Sequence, residues 1–363
     1  MIYIAGIILF FTGIQLLVAS TNLAFRQPFP KTGQPSNALV SILIPARNEE
    51  NNIRNILSEL KNQNYQNIEI LVFNDQSTDK TSQIVSEMAK NDARIRLLES
   101  GGLPAGWLGK NFACYSLSQR AAGKHFLFLD ADVRINGDII QQTISFSEKN
   151  RLGLLSIFPR QRMKTWGEYV TVPNMNFILL SLLPLVLVRK LKFPSLSAAN
   201  GQFMLFNAGI YKKLNPHKKM KTEKVEDIKI ARLFKKEKIP VACLTGTKNI
   251  SCRMYNNYSG AVNGFSKNVI AYFGDSTFLA ILFWLITTFG SLFVLFVFPK
   301  GVFAAYIAAV VFIRIFVSLA SKQNAFRNIV LLIPQQITLG IFIAKAIVKR
   351  MNKNLEWKGR NIS

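Results

Sequence analysis

Apolar and polar positions alternate on three different length scales along this chain. Residues 1–25 carry no charged side chain and are mostly Ile, Leu, Phe and Val. Such a run is long enough to cross a bilayer. The first charge, Arg26, comes after it, and no basic start precedes it, so the pattern predicts an anchor rather than a cleaved signal peptide. From residue 39 to about 244 the apolar runs shorten to strand length and alternate with helical patterns. Residues 40–45, 68–74, 95–98 and 126–130 predict buried parallel strands, and 50–61, 78–89, 111–122 and 137–148 the helices between them. This order implies an α/β fold with a mostly parallel open sheet, whose ligands bind beyond the carboxyl ends of the strands. Long apolar runs return at 276–299, which is charge-free, at 301–321, which holds Arg314, and at 328–344, about the minimum spanning length. Residues 177–188 are apolar but too short to span and contain Pro184, which predicts an interfacial or core helix.

These patterns divide the chain into an N-terminal membrane anchor (1–25), a linker (26–38) with three prolines and Gly33, and an α/β domain (39–255). An amphipathic or interfacial connection (256–275), C-terminal membrane helices (276–347) and a basic tail (348–363) follow. Hydrophobic residues make up 49% of the chain, yet its formal net charge is +25. Segregation reconciles the two, with apolar runs in lipid and basic residues in water on the cytoplasmic face of a cell membrane. The excess of Lys and Arg suits an anionic leaflet and anionic substrates such as nucleotide diphosphates. No basic-aromatic interleaving marks a nucleic-acid platform. The charge alone would also fit a membrane-tethered protein that binds anionic polymers, whose binding would be salt-dependent and indifferent to divalent metal. The pattern contains one conflict. If all four long segments span, the basic tail lies opposite the α/β domain, against the positive-inside tendency. Either one C-terminal segment is re-entrant or the N-terminal one lies in the interface.

Cys114, Cys243 and Cys252 match neither a zinc site nor a disulfide framework, and with only two histidines any metal should be a hard ion held by carboxylates. The first motif, Ser41-Ile-Leu-Ile-Pro45-Ala-Arg47-Asn48-Glu49-Glu50, ends a buried strand in Pro45 and opens a polar strand-to-helix turn able to meet an anion or a base edge. In Asn74-Asp75-Gln76-Ser77-Thr78-Asp79, Asp75 sits at a strand end where it can accept from a uracil-type N–H, whereas Asp79 suits the first turn of the next helix. Asp130-Ala131-Asp132 puts two carboxylates on one side of an extended chain at a strand end, where they can hold a divalent ion with phosphates completing its shell. Glu226-Asp227 interrupts a basic stretch. It can be helix-terminal charge, or Asp227 can be the general base that displacement by a hydroxyl requires. Arg253 can snorkel or clamp a pyrophosphate. Gly106-Trp107-Leu108-Gly109-Lys110 is a turn that presents a lysine, and Asn200-Gly201-Gln202 leads an apolar run that could line an acceptor pocket.

In this order and spacing, from about residue 40 to 255, these motifs resemble the family 2 glycosyltransferases, with the type A nucleotide-sugar (nucleotide-diphospho-sugar transferase) fold. The strings 106–110, 200–206 and 253–255, followed by Gly264-Phe265-Ser266-Lys267-Asn268, are most similar to membrane-bound members such as carotenoid-acid, hopanoid-associated and ceramide glycosyltransferases. The resemblance implies inverting transfer from a UDP- or GDP-sugar, UDP being favoured, to a hydroxyl or carboxyl of a lipid-like acceptor, with Mg2+ or Mn2+. It places Pro45, Arg47, Glu49 and Asp75 around the base, Asp130 at the ribose, Asp132 on the metal and Asp227 as the base catalyst. Lys110 and Arg253 would serve the nucleotide sugar, and Asn200, Gly201 and Gln202 the acceptor. The family's Gln-x-x-Arg-Trp motif is incomplete, since Ile250 stands for Gln and Met254 for Trp. This disfavours processive synthesis, although a polysaccharide or polyprenyl-phosphate glycosyltransferase would use the same parts.

Overall fold

The computed structural model describes residues 1–26, 36–351, 356–357 and 360–361; most of the expected linker and the end of the basic tail lie outside these residues. In chain order the elements are α1 (Ile2–Ala24), β1 (Val40–Ala46), α2 (Ile53–Lys61), β2 (Ile68–Asn74), α3 (Thr81–Asn91), β3 (Ile95–Glu99), α4 (Gly109–Arg120), β4 (His125–Leu129), β5 (Val133–Ile135), α5 (Ile139–Lys149) and β6 (Leu154–Phe158). There follow β7 (Arg160–Gln161), α6 (Trp166–Thr171), α7 (Pro173–Leu182), α8 (Leu185–Lys190), β8 (Phe203–Asn207), α9 (Ala208–Leu214), α10 (Pro216–Lys219), α11 (Glu226–Lys236), β9 (Val241–Thr245) and β10 (Ile250–Cys252). The last are α12 (Tyr258–Asn268), a 3-10 turn (Ala271–Phe273), α13 (Thr277–Val297), α14 (Lys300–Ala320), α15 (Ala325–Val330), α16 (Leu332–Met351), β11 (Glu356–Trp357) and β12 (Arg360–Asn361). They form two compact units, one of residues 27–160 and 187–252, the other of 1–26, 161–186 and 253–363.

The first unit is built on a seven-stranded sheet of order β3-β2-β1-β4-β8-β6-β9. Strands β1, β2, β3 and β4 run parallel, as do β6 and β9, while β8 is antiparallel to both its neighbours. Interior strands covered on both faces need apolar side chains on both, which is why β1 and β4 are mostly apolar, with only Ser41 and His125 polar and both buried. Ile42, Ile44, Ile70, Val72, Leu127 and Leu129 lie in the resulting core, and α2 covers it with Ile53, Ile56, Leu57 and Leu60. The helix after β1 starts at Ile53 instead of 50, because Asn48 takes a left-handed φ of 53° and residues 49–52 turn before the helix can begin. The insertion of β8 matters most for the site. Phe203 pairs with Leu129, so residues 200–202 arrive at the carboxyl end of β4.

The second unit is helical. Residues 161–186 lie within the expected stretch 39–255 but cluster with this unit. A capping box starts α6: the Thr165 side chain accepts from the Glu168 N–H, and Glu168 accepts from the Thr165 N–H. Helix α7 packs against α1 as a core helix. Asn22 of α1 donates to the Leu180 and Leu183 carbonyls and accepts from the Leu185 N–H, satisfying the backbone where Pro184 breaks the run at 177–188. Helices α1, α13, α14 and α16 are long and apolar enough to cross a membrane. Phe10, Phe278 and Phe296 are more than two-thirds exposed, as lipid-facing side chains are.

Candidate active site

Two loops at the carboxyl ends of β1 and β2 are locked to each other. The Asn48 N–H donates to Ser77 Oγ (3.0 Å), the Glu49 N–H to Thr81 Oγ1 (2.8 Å) and the Glu50 N–H to Asp79 Oδ2 (3.0 Å). In return, the Thr78 N–H donates to Asn48 Oδ1 and the Lys80 N–H to Glu50 Oε2. Arg47 donates to the Asp75 carbonyl at 2.7 Å, and the Asp75 N–H to the Ala46 carbonyl at 2.8 Å. The latch therefore holds Arg47, Glu49 and the buried Asp75 side by side, just past Pro45, which is in register with Phe73. Asp79 belongs to the latch. Partial burial opposes its ionisation, but donors on Thr81 and the Glu50 N–H bring its carboxyl below the ordinary value.

A second constellation forms around Gly201. The start of α4 is stapled to the segment that leads into α11: the Leu108 N–H donates to the Lys221 carbonyl, and Asn111 Nδ2 to the Met220 and Glu223 carbonyls. This brings Lys110 beside the first turn of α11. Its Nζ lies 2.9 Å from Asp130 Oδ2, 3.5 Å from the Gly201 carbonyl and 3.7 Å from Glu226 Oε1. Asp227 accepts from the Gly201 N–H through Oδ2 (2.8 Å) and from the Ile228 N–H through Oδ1 (2.8 Å). A Cβ on Gly201 would stand 3.1 Å from Lys110 Nζ, 3.3 Å from Glu226 Oε1 and 3.6 Å from Asp227 Oδ2. A side chain there would make Lys110 and Glu226 give by a few tenths of an ångström, while Asp227 stands at ordinary contact distance. Burial lowers the Lys110 pKa by itself, but Asp130 and Glu226 outweigh it and hold the ammonium charged. Burial pushes Glu226 up to about 7 and raises Asp227, with backbone N–H donors and Lys110 opposing the rise in Asp227.

The third part continues from β4. The Asp130 N–H donates to the Gln202 carbonyl (3.1 Å), and the Gln202 N–H to Asn200 Oδ1 (2.9 Å). Asn200 is pinned in turn by Ser156 Oγ, which accepts from its N–H at 2.7 Å. Gln202 Nε2 lies 2.9 Å from Cys252 Sγ and 3.4 Å from both Asp132 oxygens, while its buried Oε1 finds no partner among the described residues. Burial, then the charges of Asp130 and Glu49, push Asp132 up to about 7. Such a crowd of carboxylates fits a divalent cation. Asp130 and Asp132 could offer oxygen ligands, and no group of three His, Cys, Asp or Glu side chains that could hold a metal exists among the described residues.

Lys110, Asp130, Asp132, Asn200, Gly201, Gln202 and Asp227 thus come together, and Glu49 joins them through its charge on Asp132. Arg253 stands in the helical unit, where Nε and Nη2 grip the buried Glu168 at 2.8 and 3.1 Å. Donors from Arg253 and residues 164–165 overcome burial and bring Glu168 down to about 2. Sequence reasoning missed Glu226, Cys252 and Glu168. Adjacency to Asp227 and the Thr165-x-x-Glu168 capping spacing were the available signals. The three cysteines are free and buried, and His217, hydrogen-bonded to Tyr211 at 2.6 Å and pushed down to about 3 by burial, is a neutral core residue.

The sequence profile of Glycosyl transferase family 2 matches residues 41–214. A 4,4'-diaponeurosporenoate glycosyltransferase of Staphylococcus haemolyticus (strain JCSC1435) is 27% identical over 269 residues, covering 70% of this chain and 68% of that protein. Its namesake in Staphylococcus aureus (strain USA300) is 24% identical over 352 residues, covering 92% and 90%. Among solved structures, the mannosyltransferase PcManGT from Pyrobaculum calidifontis, in complex with GDP-Man and Mn2+, is similar in fold, with a TM-score of 0.61 at 14% identity over 96% of this chain and 98% of that one. Residues 41–214 thus match the family 2 glycosyltransferases, the fold is that of a type A nucleotide-sugar transferase, and the chain resembles the carotenoid-acid glycosyltransferases.

Proposed function

We propose that residues 39–255 transfer one sugar, with inversion, from a nucleotide-diphosphate sugar, UDP being favoured, to a hydroxyl or carboxyl of a lipid-like acceptor at the cytoplasmic face of the cell membrane. The observation that carries this reading is the convergence of Lys110, Asp130 and Asp227 on Gly201, with Asp132 beside them. Pro45, Arg47, Glu49 and Asp75 take the nucleotide base, Asp130 the ribose, and Asn200, Gly201 and Gln202 the acceptor. Lys110 balances the carboxylates so that Asp227 can be ionised. Asp227 has lone pairs left after accepting two backbone N–H groups, and burial makes it the stronger proton acceptor. The acceptor oxygen attacks the anomeric carbon, its proton passes to Asp227, and the bond to the diphosphate breaks with its electrons on the departing oxygen. Asp132, with Asp130, would hold Mg2+ or Mn2+, which when bound offsets negative charge on the diphosphate.

The names of the staphylococcal relatives favour a carboxylic acid as acceptor. A carboxylate arrives without a proton, so Asp227 would then orient it through Gly201 rather than deprotonate it. The test is mass spectrometry of lipids after membranes containing the protein are incubated with UDP- and GDP-sugars, Mg2+ or Mn2+, and hydroxyl or carboxyl lipids. One added sugar per lipid is expected. A ladder of products would favour a polymerase, and the absence of any sugar-lipid product would refute the reading.

A further inference from the structure

Helix α16 is long and apolar enough to cross a membrane, yet its neighbours trace a different path. We propose that α15 and α16 form a re-entrant pair: the chain dips into the leaflet from the side where α13 begins and returns to that same side, so only α1, α13 and α14 cross.

The argument is one of register within the helical unit. Helix α13 enters at Thr277, just after Asp275, and α14 returns from the opposite side, its Tyr306 hydroxyl packed near Gly290 of α13. Three rungs tie α16 to known depths. At the deepest, Trp284 Nε1 donates to the Gln336 carbonyl (3.0 Å), and Thr287 and Thr288 each donate to Gln336 Oε1 (3.3 Å). Gly340 leaves room for the Trp284 ring, since a Cβ there would lie 2.7 Å from it. At 1.5 Å per residue these α13 positions lie about 10–17 Å beyond the helix start. At the next rung, Phe342 packs on Phe265 of α12 with ring centroids 5.3 Å apart. At the last, Lys349 Nζ donates to Ser266 Oγ (3.3 Å), and Arg350 reaches the Asp275 carbonyl (3.4 Å) and carboxylate (3.6 Å). Position 350 is therefore level with the start of α13. Helix α16 runs antiparallel to α13, from inside the bilayer back out.

Its other end agrees. Asn328 donates to Ser318 Oγ near the end of α14, and Arg314 Nη1 donates to Gln335 Oε1 at 3.2 Å. Between those rungs the chain descends alongside α14 by about one turn, to a level roughly 9 Å short of the Ala320 end. Leu332, only four residues before Gln336, adds about 6 Å. Measured along α13, Leu332 thus lies about 16–23 Å from the helix start, short of the ~30 Å hydrocarbon thickness. The path also removes the charge conflict. Lys345, Lys349 and Arg350 emerge on the side where α13 starts, with Lys267 and Lys345 as charged neighbours of Lys349, a surface suited to anionic lipid headgroups.

The test needs no sugar-transfer assay, so its failure is distinct from failure of the proposed function. Lys149→Cys, Lys300→Cys and Met351→Cys, each made in the full chain, place one exposed thiol in the sheet unit, between α13 and α14, and at the end of α16. The native cysteines are all buried. A membrane-impermeant maleimide is applied to intact cells and to inverted vesicles, with alkaline phosphatase fused after Ser363 as a second readout. Met351→Cys should label with Lys149→Cys and opposite to Lys300→Cys, and the fused phosphatase should be inactive. Labelling of Met351→Cys together with Lys300→Cys, or an active phosphatase, would overturn the proposal.

Discussion

The sheet unit and the helical unit treat buried polarity in opposite ways. Around Gly201 the sheet unit crowds Asp130, Asp132, Glu226 and Asp227 near one ammonium, and burial pushes two of the carboxyls up to about 7. The helical unit pairs many of its buried polar groups through amides, although Asn174 Oδ1, Arg314 Nη2 and Gln323 Nε2 find no partner among the described residues. Gln335 alone meets the Tyr169 carbonyl, Asn328 and Arg314, and Arg314 lies over the Phe177 ring at 3.7 Å. A cluster of like charges is unfavourable to fold and useful to chemistry, whereas a hydrogen-bonded amide network specifies packing. Neutral substitutions should therefore cost activity rather than stability in the sheet unit, and stability rather than activity in the helical unit.

Asp132→Asn should give the largest separation. Transfer should fall about a thousandfold, the scale of losing a group that stabilises transition-state charge. Stability should move the other way. An acid whose folded pKa is raised contributes most below its unfolded value and loses that contribution as pH rises through about 7. The variant should thus melt roughly 3 °C higher at pH 8, taking about 1 kcal/mol of relief in a domain of this size. The gain should shrink toward pH 4, as thermal scans at both pH values would show. An unchanged or lower Tm at pH 8 would count against the crowding.

Gly201→Ala should act more mildly. Its Cβ would press on Lys110 and Glu226 while the backbone accepts it, so kcat should fall on the order of tenfold with Tm nearly unchanged, a misplacement effect. Full activity would mean that the three side chains need no fixed spacing. Gln335→Leu should sharpen the contrast. Stripping three partners from a fully buried amide should cost about 2 kcal/mol in detergent unfolding, with KM for the nucleotide sugar unmoved. A raised KM without loss of stability would show that the helical network serves the chemistry.

Much of this was legible in the residues. Strands β1, β2 and β4 are largely buried and leave mostly apolar runs of strand length, and β3 a shorter one with Arg96 exposed, so these strands and the polar residues at their ends could be placed from sequence. The run Phe203–Asn207 could not be recognised as an antiparallel strand between β4 and β6, because a short apolar run does not reveal its partner or its direction. Asn200, Gly201 and Gln202 were read as acceptor lining; their hydrogen bonds to Asp227 and toward Asp132 depend on that strand's position. The sequence left the Glu226-Asp227 pair between helix-terminal charge and a general base, with Asp227 as the base; that Glu226 faces Lys110 at 3.7 Å depends on the fold. The short run at 177–188 left two readings open, and the pairing of Asn22 with the backbone around Pro184 decided for a core helix. Arg253 was open to snorkelling or to clamping a pyrophosphate, because its partner Glu168 lies 85 residues away in sequence.

The most direct test is transfer of radiolabelled sugar to a hydroxyl lipid by Asp227→Asn, with folding checked by thermal unfolding. Asparagine keeps one oxygen for the Gly201 N–H but cannot take a proton, so the rate should drop by about a hundredfold or more in a protein that still melts cooperatively. Undiminished transfer to that hydroxyl acceptor would contradict the account.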